Sequence, residues 1–203
     1  MEGINTREEY TNLFKGYIDE TPEFGEWVDI ARIHSKGNIW VMGGLVYRNI
    51  IERLYEKLPE KIVDADFLVE NYAREVIRPK GWEQVLNRRG ILTFKKADES
   101  AQITISSLQN FHSIERRGLP PHIRHFYTGN PLNIQSIIYD CGEGDFRKGS
   151  VYGRRGIDAI KTRRIKVNNI DEAKYEAKYK RVSLEKLIKD KAEELPGFDY
   201  VLP

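Results

Sequence analysis

The stretch IWVMGGLVYRNIIERLYEKLPEKIVDADFLVE, residues 39–70, decides the fold. It opens on IWVM, which with Asn38 before it makes a short apolar run that reads as a strand. Gly43 and Gly44 turn that strand into a helix over about 44–58, which Pro59 ends. KIVDADFLV follows as a second strand. In a strand, residues two apart point the same way, so Asp64 and Asp66 share a face. Val63, Ala65, Phe67 and Val69 take the other face, which is apolar. Two carboxylates side by side repel unless something positive sits between them. A hard divalent cation such as Mg2+ is the usual solution, because it takes oxygen ligands and often holds phosphates as well. Spacing alone favours the plainer alternative, two acids solvated on an open face. The glycines shift the balance. A strand-to-helix turn exposes backbone N–H groups at the positive end of a helix dipole, and glycine lets an anion approach them. Arg48, on the first turn of that helix, is placed either to face the same anion or to sit on the surface.

The 203 residues suffice for one medium domain with a core, alone or with a helical appendage. Charged residues at 32% and apolar residues at 40% describe a soluble globular chain. No run of 18 apolar residues exists to span a membrane. The start, MEGINTREEY, is too acidic and polar for a signal peptide. Cys141 alone forms no internal disulfide and fits a reducing cytoplasm. Net charge is +2 but unevenly spread. Residues 1–37 carry eight acids and four bases, whereas 147–166, RKGSVYGRRGIDAIKTRRIK, carry eight bases and one acid. That stripe suggests a specific anionic partner, with a solvated charged surface as the alternative.

Outward from the central stretch, NTREEYTNLFKGYIDE predicts a first helix with Thr6 and Glu9 as a capping box. TPEFGEWVDIARIHSKG predicts a second, with Thr21 as cap, Pro22 at the first position and Gly37 near the stop. A helix of about two turns is expected from Asn71. GILTFKK and AQITISSL read as strands joined by a turn at ADES. ERRGLPPHIRHFYTGNP reads as a loop or broken helix, NIQSIIYDC as a strand and RRIKVN as a last short one. From Asp171 the chain is helical, with Ser183 capping a run whose Leu184, Leu187, Ile188 and Leu195 face one side. That side must dock on the domain or on a second copy. The expected fold class is α+β: a mixed twisted sheet of about five strands with packed helices, plus C-terminal helices. The expected division is 1–37 as N-terminal helices on the core, 38–168 as the sheet domain and 169–203 as a C-terminal helical segment.

MGGLVYRNII followed by VDADFLV resembles the head domain of the polymerase-beta-type nucleotidyltransferases, above all the group of tRNA nucleotidyltransferases and bacterial poly(A) polymerases. NIQSIIYD, then Gly156, Asp158 and RRIKV, is similar to that family's later strand, turn and basic strand. The resemblance covers roughly residues 38–168 and is specific in order and spacing while loose in identity. It implies the nucleotidyltransferase fold, with Asp64 and Asp66 as the catalytic pair holding Mg2+ on a nucleoside triphosphate. Gly43 and Gly44 would cradle the phosphates, with Arg48 and Thr104 beside them. A hydroxyl acceptor, an RNA end or a small molecule, would attack the α-phosphate and release pyrophosphate.

The chain departs from that family in a way that matters. Active members carry a third carboxylate on a neighbouring strand. The matching strand here is QITIS, where Gln102, Thr104 and Ser106 share a face and Thr104 stands in the acid's place. A hydroxyl hydrogen-bonds but supplies no charge at neutral pH. Asp98 and Glu99 in the adjoining turn, or Asp140 on another strand, are the candidate substitutes. The Arg–Asp pair that precedes the late strand in those enzymes is replaced by GNPL. The alternative is therefore a catalytically degenerate domain that works by binding a nucleotide or RNA.

Among other residues, Arg154 and Arg155 in GRRG could clamp phosphate or RNA, since the guanidinium fork suits phosphate oxygens, or form an exposed turn. His122 and His125 have metal-site spacing but no second ligand cluster, which favours a structural or surface role. Cys141 reads as a small buried hydrophobe. Tyr175 and Tyr179 read as packing, and a homodimer through the C-terminal helices is the expected assembly.

Overall fold

The computed structural model describes residues 6–55, 58, 63–86 and 91–203. The chain starts with α1 (Arg7–Glu20), closed by the expected capping box: Glu9 N–H donates to Thr6 Oγ1, and Thr6 N–H donates to Glu9 Oε2 at 2.8 Å. Tyr10, Phe14 and Ile18, each one turn apart, are buried. The second helix, α2 (Phe24–Ile33), starts later than predicted. Thr21 does not cap it but ends α1, donating its N–H to Ile18 O, and its own carbonyl accepts Phe24 N–H across a tight turn at Pro22–Glu23. The residue before a proline is driven to extended backbone, which suits a helix end.

Gly37 is not a helix stop either. It lies inside β1 (Ser35–Met42), where the pairing slips between Lys36 and Ile39. Its φ is +88°, and an added Cβ would meet Glu70 Oε2 at 2.5 Å. The residue therefore marks a β-bulge that only glycine fits. Helix α3 (Gly44–Leu54) leaves the end of β1, and β2 (Val63–Tyr72) returns antiparallel to it. Pro59 and residues 61–62, which the sequence reading used to end the helix and start the strand, lie outside the described residues.

No helix follows Asn71. Strand β2 runs on to Tyr72, and residues 73–80 form an irregular loop pinned by His34. The His34 carbonyl accepts Ala73 N–H at 2.9 Å. Its buried ring places Nδ1 2.7 Å from Ile30 O, and Nε2 2.8 Å from Ile77 O and 3.1 Å from Ile77 N. The loop leads to β3 (Trp82–Leu86), a strand the sequence reading missed, then to β4 (Leu92–Lys96) and β5 (Ala101–Ser107). The last two form the expected hairpin.

ERRGLPPHIRHFYTGNP proves a broken helix: α4 (His112–Arg116) ends at its start, Pro120–Pro121 interrupt, and α5 (Ile123–Gly129) follows. His122 caps α5 by accepting Arg124 N–H, and His125 lies against Pro120 O at 2.8 Å, both local structural tasks. Strands β6 (Ile138–Asp140) and β7 (Ser150–Tyr152) complete, among the described residues, a seven-stranded mixed sheet ordered β3-β4-β5-β2-β1-β6-β7. That is two strands more than expected. Cys141, fully buried, has its thiol pushed up to about 12 by that burial and by Asp140. Helix α6 (Arg154–Thr162) and β8 (Arg164–Lys166) carry the basic stripe. The tail forms α7 (Ile170–Lys180), α8 (Leu184–Glu193) and β9 (Asp199–Val201), which pairs parallel with β8 in a separate small sheet.

Alternation along the strands separates two cores. Ile39, Val41, Ala65, Phe67, Val69, Ile103 and Ile105 face α1, α2, α3, α6 and α8 in the main one. Trp40, Met42, Leu68 and Ile138 face α4 and α5 in a smaller one. Ile188 and Leu195 enter the main core, so the apolar side of the C-terminal segment docks on its own domain. Tyr175 packs as expected, with Arg116 4.8 Å over its ring and His112 stacked on it at 6.2 Å, although it and Tyr179 remain 39% and 50% exposed.

Helix α1 is tied to the sheet edge through Thr11, whose hydroxyl accepts the buried Val151 N–H at 3.0 Å and donates to Arg7 O. Thr11→Val is expected to leave that N–H without a partner and to cost about 1–3 kcal/mol in urea unfolding. A change below about 0.5 kcal/mol would mean the contact is not held in solution.

Candidate active site

Strand β1 ends at Met42, directly opposite Asp66 on β2. On the other side, β2 runs parallel to β5, pairing Asp64 with Gln102 and Asp66 with Thr104. Asp64 and Asp66 thus share a face, as the alternation requires. Two residues further on, Leu68 on the same face is sealed under α4 and α5. The carboxylates stand where that cover stops.

Gly43 crosses the end of the sheet at the level of Asp66. Its φ of +66° and ψ of −136° belong to backbone that side chains rarely adopt, and its Cβ position lies 3.7 Å from Asp66 Oδ2. Val46 and Tyr47 N–H both donate to Gly43 O, starting the helix. The N–H groups of Gly44 and Leu45 precede those bonds and have no intrahelical acceptor. The Arg48 stem folds back over Gly44, its Cδ 3.9 Å from that residue's Cβ position.

These parts line one cavity of about 880 Å³: Gly43, Gly44, Arg48, Asp64, Asp66 and Thr104 together. The volume matches that of small-molecule and cofactor sites. Arg154 and Arg155 are not on its wall. Arg154 is almost fully exposed beside Asp158, and Arg155 donates to Asn168 Oδ1 at 2.5 Å. The candidate substitutes for a third carboxylate are not on the wall either. Asp98 accepts Ser100 N–H in its own exposed turn. Glu99 is exposed at a positive φ of 57°. Asp140 pairs with Trp40, at the level of Leu68 and not of Asp66, and accepts Gly142 N–H.

Sequence reasoning missed part of the wall. Glu52 comes from α3, Glu176 and Lys180 from α7, and Lys191 and Glu194 from the α8 end. No pattern in the helical tail distinguished these from ordinary surface charges.

The electrostatics are uneven. Asp66 keeps some solvent contact through the cavity, yet protein crowds its carboxyl. Burial, with Asp64 adding to it, pushes Asp66 up to about 8. Burial also raises Asp64, opposed by the hydrogen bond that Gln102 Nε2 donates at 3.3 Å. Among the described residues no basic side chain lies within ion-pair distance of either carboxylate, and no cluster of three metal-ligating residues occurs. Two carboxylates without a counter-charge fit a hard cation that completes its shell with other oxygens. Mg2+ bound through one or two carboxylates and substrate phosphates is that case.

No model of a known protein family matches the chain, and neither does any curated protein. Solved structures do. A CCA-adding enzyme with CTP superposes with a TM-score of 0.51 over 86% of this chain, at 17% identity. The fold is that of a nucleotidyltransferase. A CCA-adding enzyme with ATP gives a TM-score of 0.51 at 16% identity over 86% of the chain. A tRNA-processing enzyme in an apo form gives 0.51 at 16% identity over 95%. The nucleotidyltransferase-fold chain spans 44%, 43% and 49% of those three proteins, so it is less than half their length. At such identities the likeness is one of fold. Among the described residues no helix is long and apolar enough to cross a membrane.

Proposed function

We propose that the cavity binds a nucleoside triphosphate with Mg2+ and transfers its nucleotidyl group to a hydroxyl acceptor. The observation that carries this reading is the meeting of the Gly43–Gly44 helix start with Asp64 and Asp66 in one cavity, with Met42 and Asp66 in register. Asp64 and Asp66 would hold Mg2+, which supplies charge neutralisation and polarises the α-phosphate. The N–H groups of Gly44 and Leu45 donate to phosphate oxygens, and Arg48 adds charge beside them. The acceptor oxygen forms a bond to the α-phosphorus, the α–β anhydride bond breaks, pyrophosphate leaves and the acceptor proton passes to solvent. Thr104 orients the acceptor but takes no proton at neutral pH.

Arg154 and Arg155, outside the cavity, suit the phosphates of an RNA acceptor better than the triphosphate. An RNA end or a small alcohol is the acceptor class, and the lone buried Cys141 suits a reducing cytoplasm. Pairing of two copies through the C-terminal helices would have to use their outer sides, where Tyr175 and Tyr179 are exposed. A second reading, a binding module without transfer, is favoured by one observation: Thr104 stands opposite Asp66 where a carboxylate would serve.

Calorimetric titration with each of the four triphosphates, with Mg2+ and with EDTA, tests the reading. Expected is a Kd between about 1 µM and 1 mM that disappears without the metal. A folded protein that binds none of them at 1 mM would overturn it. Binding without incorporation of labelled nucleotide into RNA or alcohols would select the second reading.

A further inference from the structure

Lys180 and Lys191 both line the cavity, in different settings. Lys180 is half exposed and pairs with Glu176 in its own helix at 2.6 Å. The Lys191 side chain is only 18% exposed. Its Nζ lies 2.7 Å from Glu194 Oε2 and 3.5 Å from the Tyr47 hydroxyl. Tyr47 belongs to the first turn of α3, and its hydroxyl is 3.9 Å from the Cβ position of Gly44. The two glycines therefore look to opposite flanks. Gly43 faces Asp66, whereas Gly44 faces Arg48 and Tyr47, behind which Lys191 stands.

A chain of phosphates laid across this turn has the carboxylate pair at one end and the Tyr47–Lys191 pair at the other. Lysine is a compact charge suited to phosphate, and one already held by a neighbour loses less freedom on binding. Burial works against its charge, and Tyr47 and Glu194 more than offset this, so the ammonium stays protonated. Glu194, whose side chain is 35% exposed, can turn to water.

We infer that Lys191 binds the terminal phosphates of the nucleotide, a role that rests on the function proposed for the cavity. Glu194 keeps the ammonium aligned until phosphate replaces it. The last helix then discriminates a triphosphate from a monophosphate, and the strand carboxylates do not.

The test is titration of the full chain, in Mg2+, with the triphosphate that binds best and with its monophosphate. Lys191→Met is expected to weaken triphosphate binding about tenfold or more and to leave the monophosphate within about twofold. Lys191→Arg restores most of the loss, and Glu194→Gln binds the triphosphate at least as tightly as the wild type. Melting curves verify that each variant is folded, and the arginine and glutamine variants carry the test if the methionine one is not. Equal triphosphate affinity in Lys191→Met, or a parallel loss of both ligands, overturns the inference while the cavity's function stands. A wild type that binds no triphosphate overturns both.

Discussion

Asp66→Asn is expected to abolish Mg2+-dependent triphosphate binding and, at the same time, to make the ligand-free protein more stable. The two effects have one cause. In the fold, the Asp66 carboxyl is crowded by protein and faces Asp64, with no described cation in ion-pair reach. Its raised value, about 8 against about 4 when unfolded, means that folding favours the neutral form. The sign follows: its favourable contribution is complete below about pH 4 and is lost as pH climbs through about 8. Asparagine has no charge to bury. At pH 8.5 without ligand the variant should gain about 1–2 kcal/mol, a Tm several degrees higher, and the gain should shrink towards pH 5. Affinity should fall more than about a hundredfold, since even the outer partners of metal ligands are worth about 10- to 100-fold. Mg2+ with triphosphate should raise the Tm of the wild type and leave the variant unmoved. A variant less stable than the wild type at pH 8.5, yet still binding the triphosphate, would show that Asp66 is a structural acid.

Thr104→Asp carries the other large effect, in the opposite direction. Thr104 is the parallel neighbour of Asp66, about 4.8 Å away across the sheet. An aspartate there would give three carboxylates on adjacent strands, with one free to take the acceptor proton. Positioned general bases contribute about 10²- to 10⁴-fold. Nucleotide incorporation should therefore rise at least about tenfold at saturating Mg2+, with a loss of apo stability on the order of 1 kcal/mol from like charges. Gel analysis of labelled product with RNA and alcohol acceptors reads the rate. An unchanged rate in a variant that still binds the triphosphate would mean that a proton acceptor is already present in the wall, where Glu52, Glu176 and Glu194 stand.

The parts of the fold with local causes were legible. The capping box at Thr6 and Glu9, the Gly-Gly break between β1 and α3, and the alternation in VDADFLV are each decided within a few residues, and each stands as read. The errors arose where distant residues decide. Gly37 reads as a helix stop because nothing near it announces Glu70, which comes across from β2. Asn71 continues a strand because Lys36 pairs with it. β3 is rich in residues at home in helices, and becomes a strand by lying against β4. The site divides the same way. Gly43, Gly44, Arg48, Asp64 and Asp66 come from one local motif, and Thr104 followed from strand parity. Lys191 and Glu194 could not be found, since their place depends on how the tail folds over the domain.

That tail supplies one wall of the cavity. The wall of the cavity runs from Gly43 to Glu194. β8 acquires its partner β9 only from residues 199–201. The carboxylate strand and the glycine turn come from one half of the described chain, and the segment that closes over them comes from the other. Until α8 docks, the aspartates stand open to water, without the lysine opposite. Loosening of α8 would then weaken the grip on a triphosphate in steps, the lysine being lost first while the carboxylate pair and the glycine turn stay assembled.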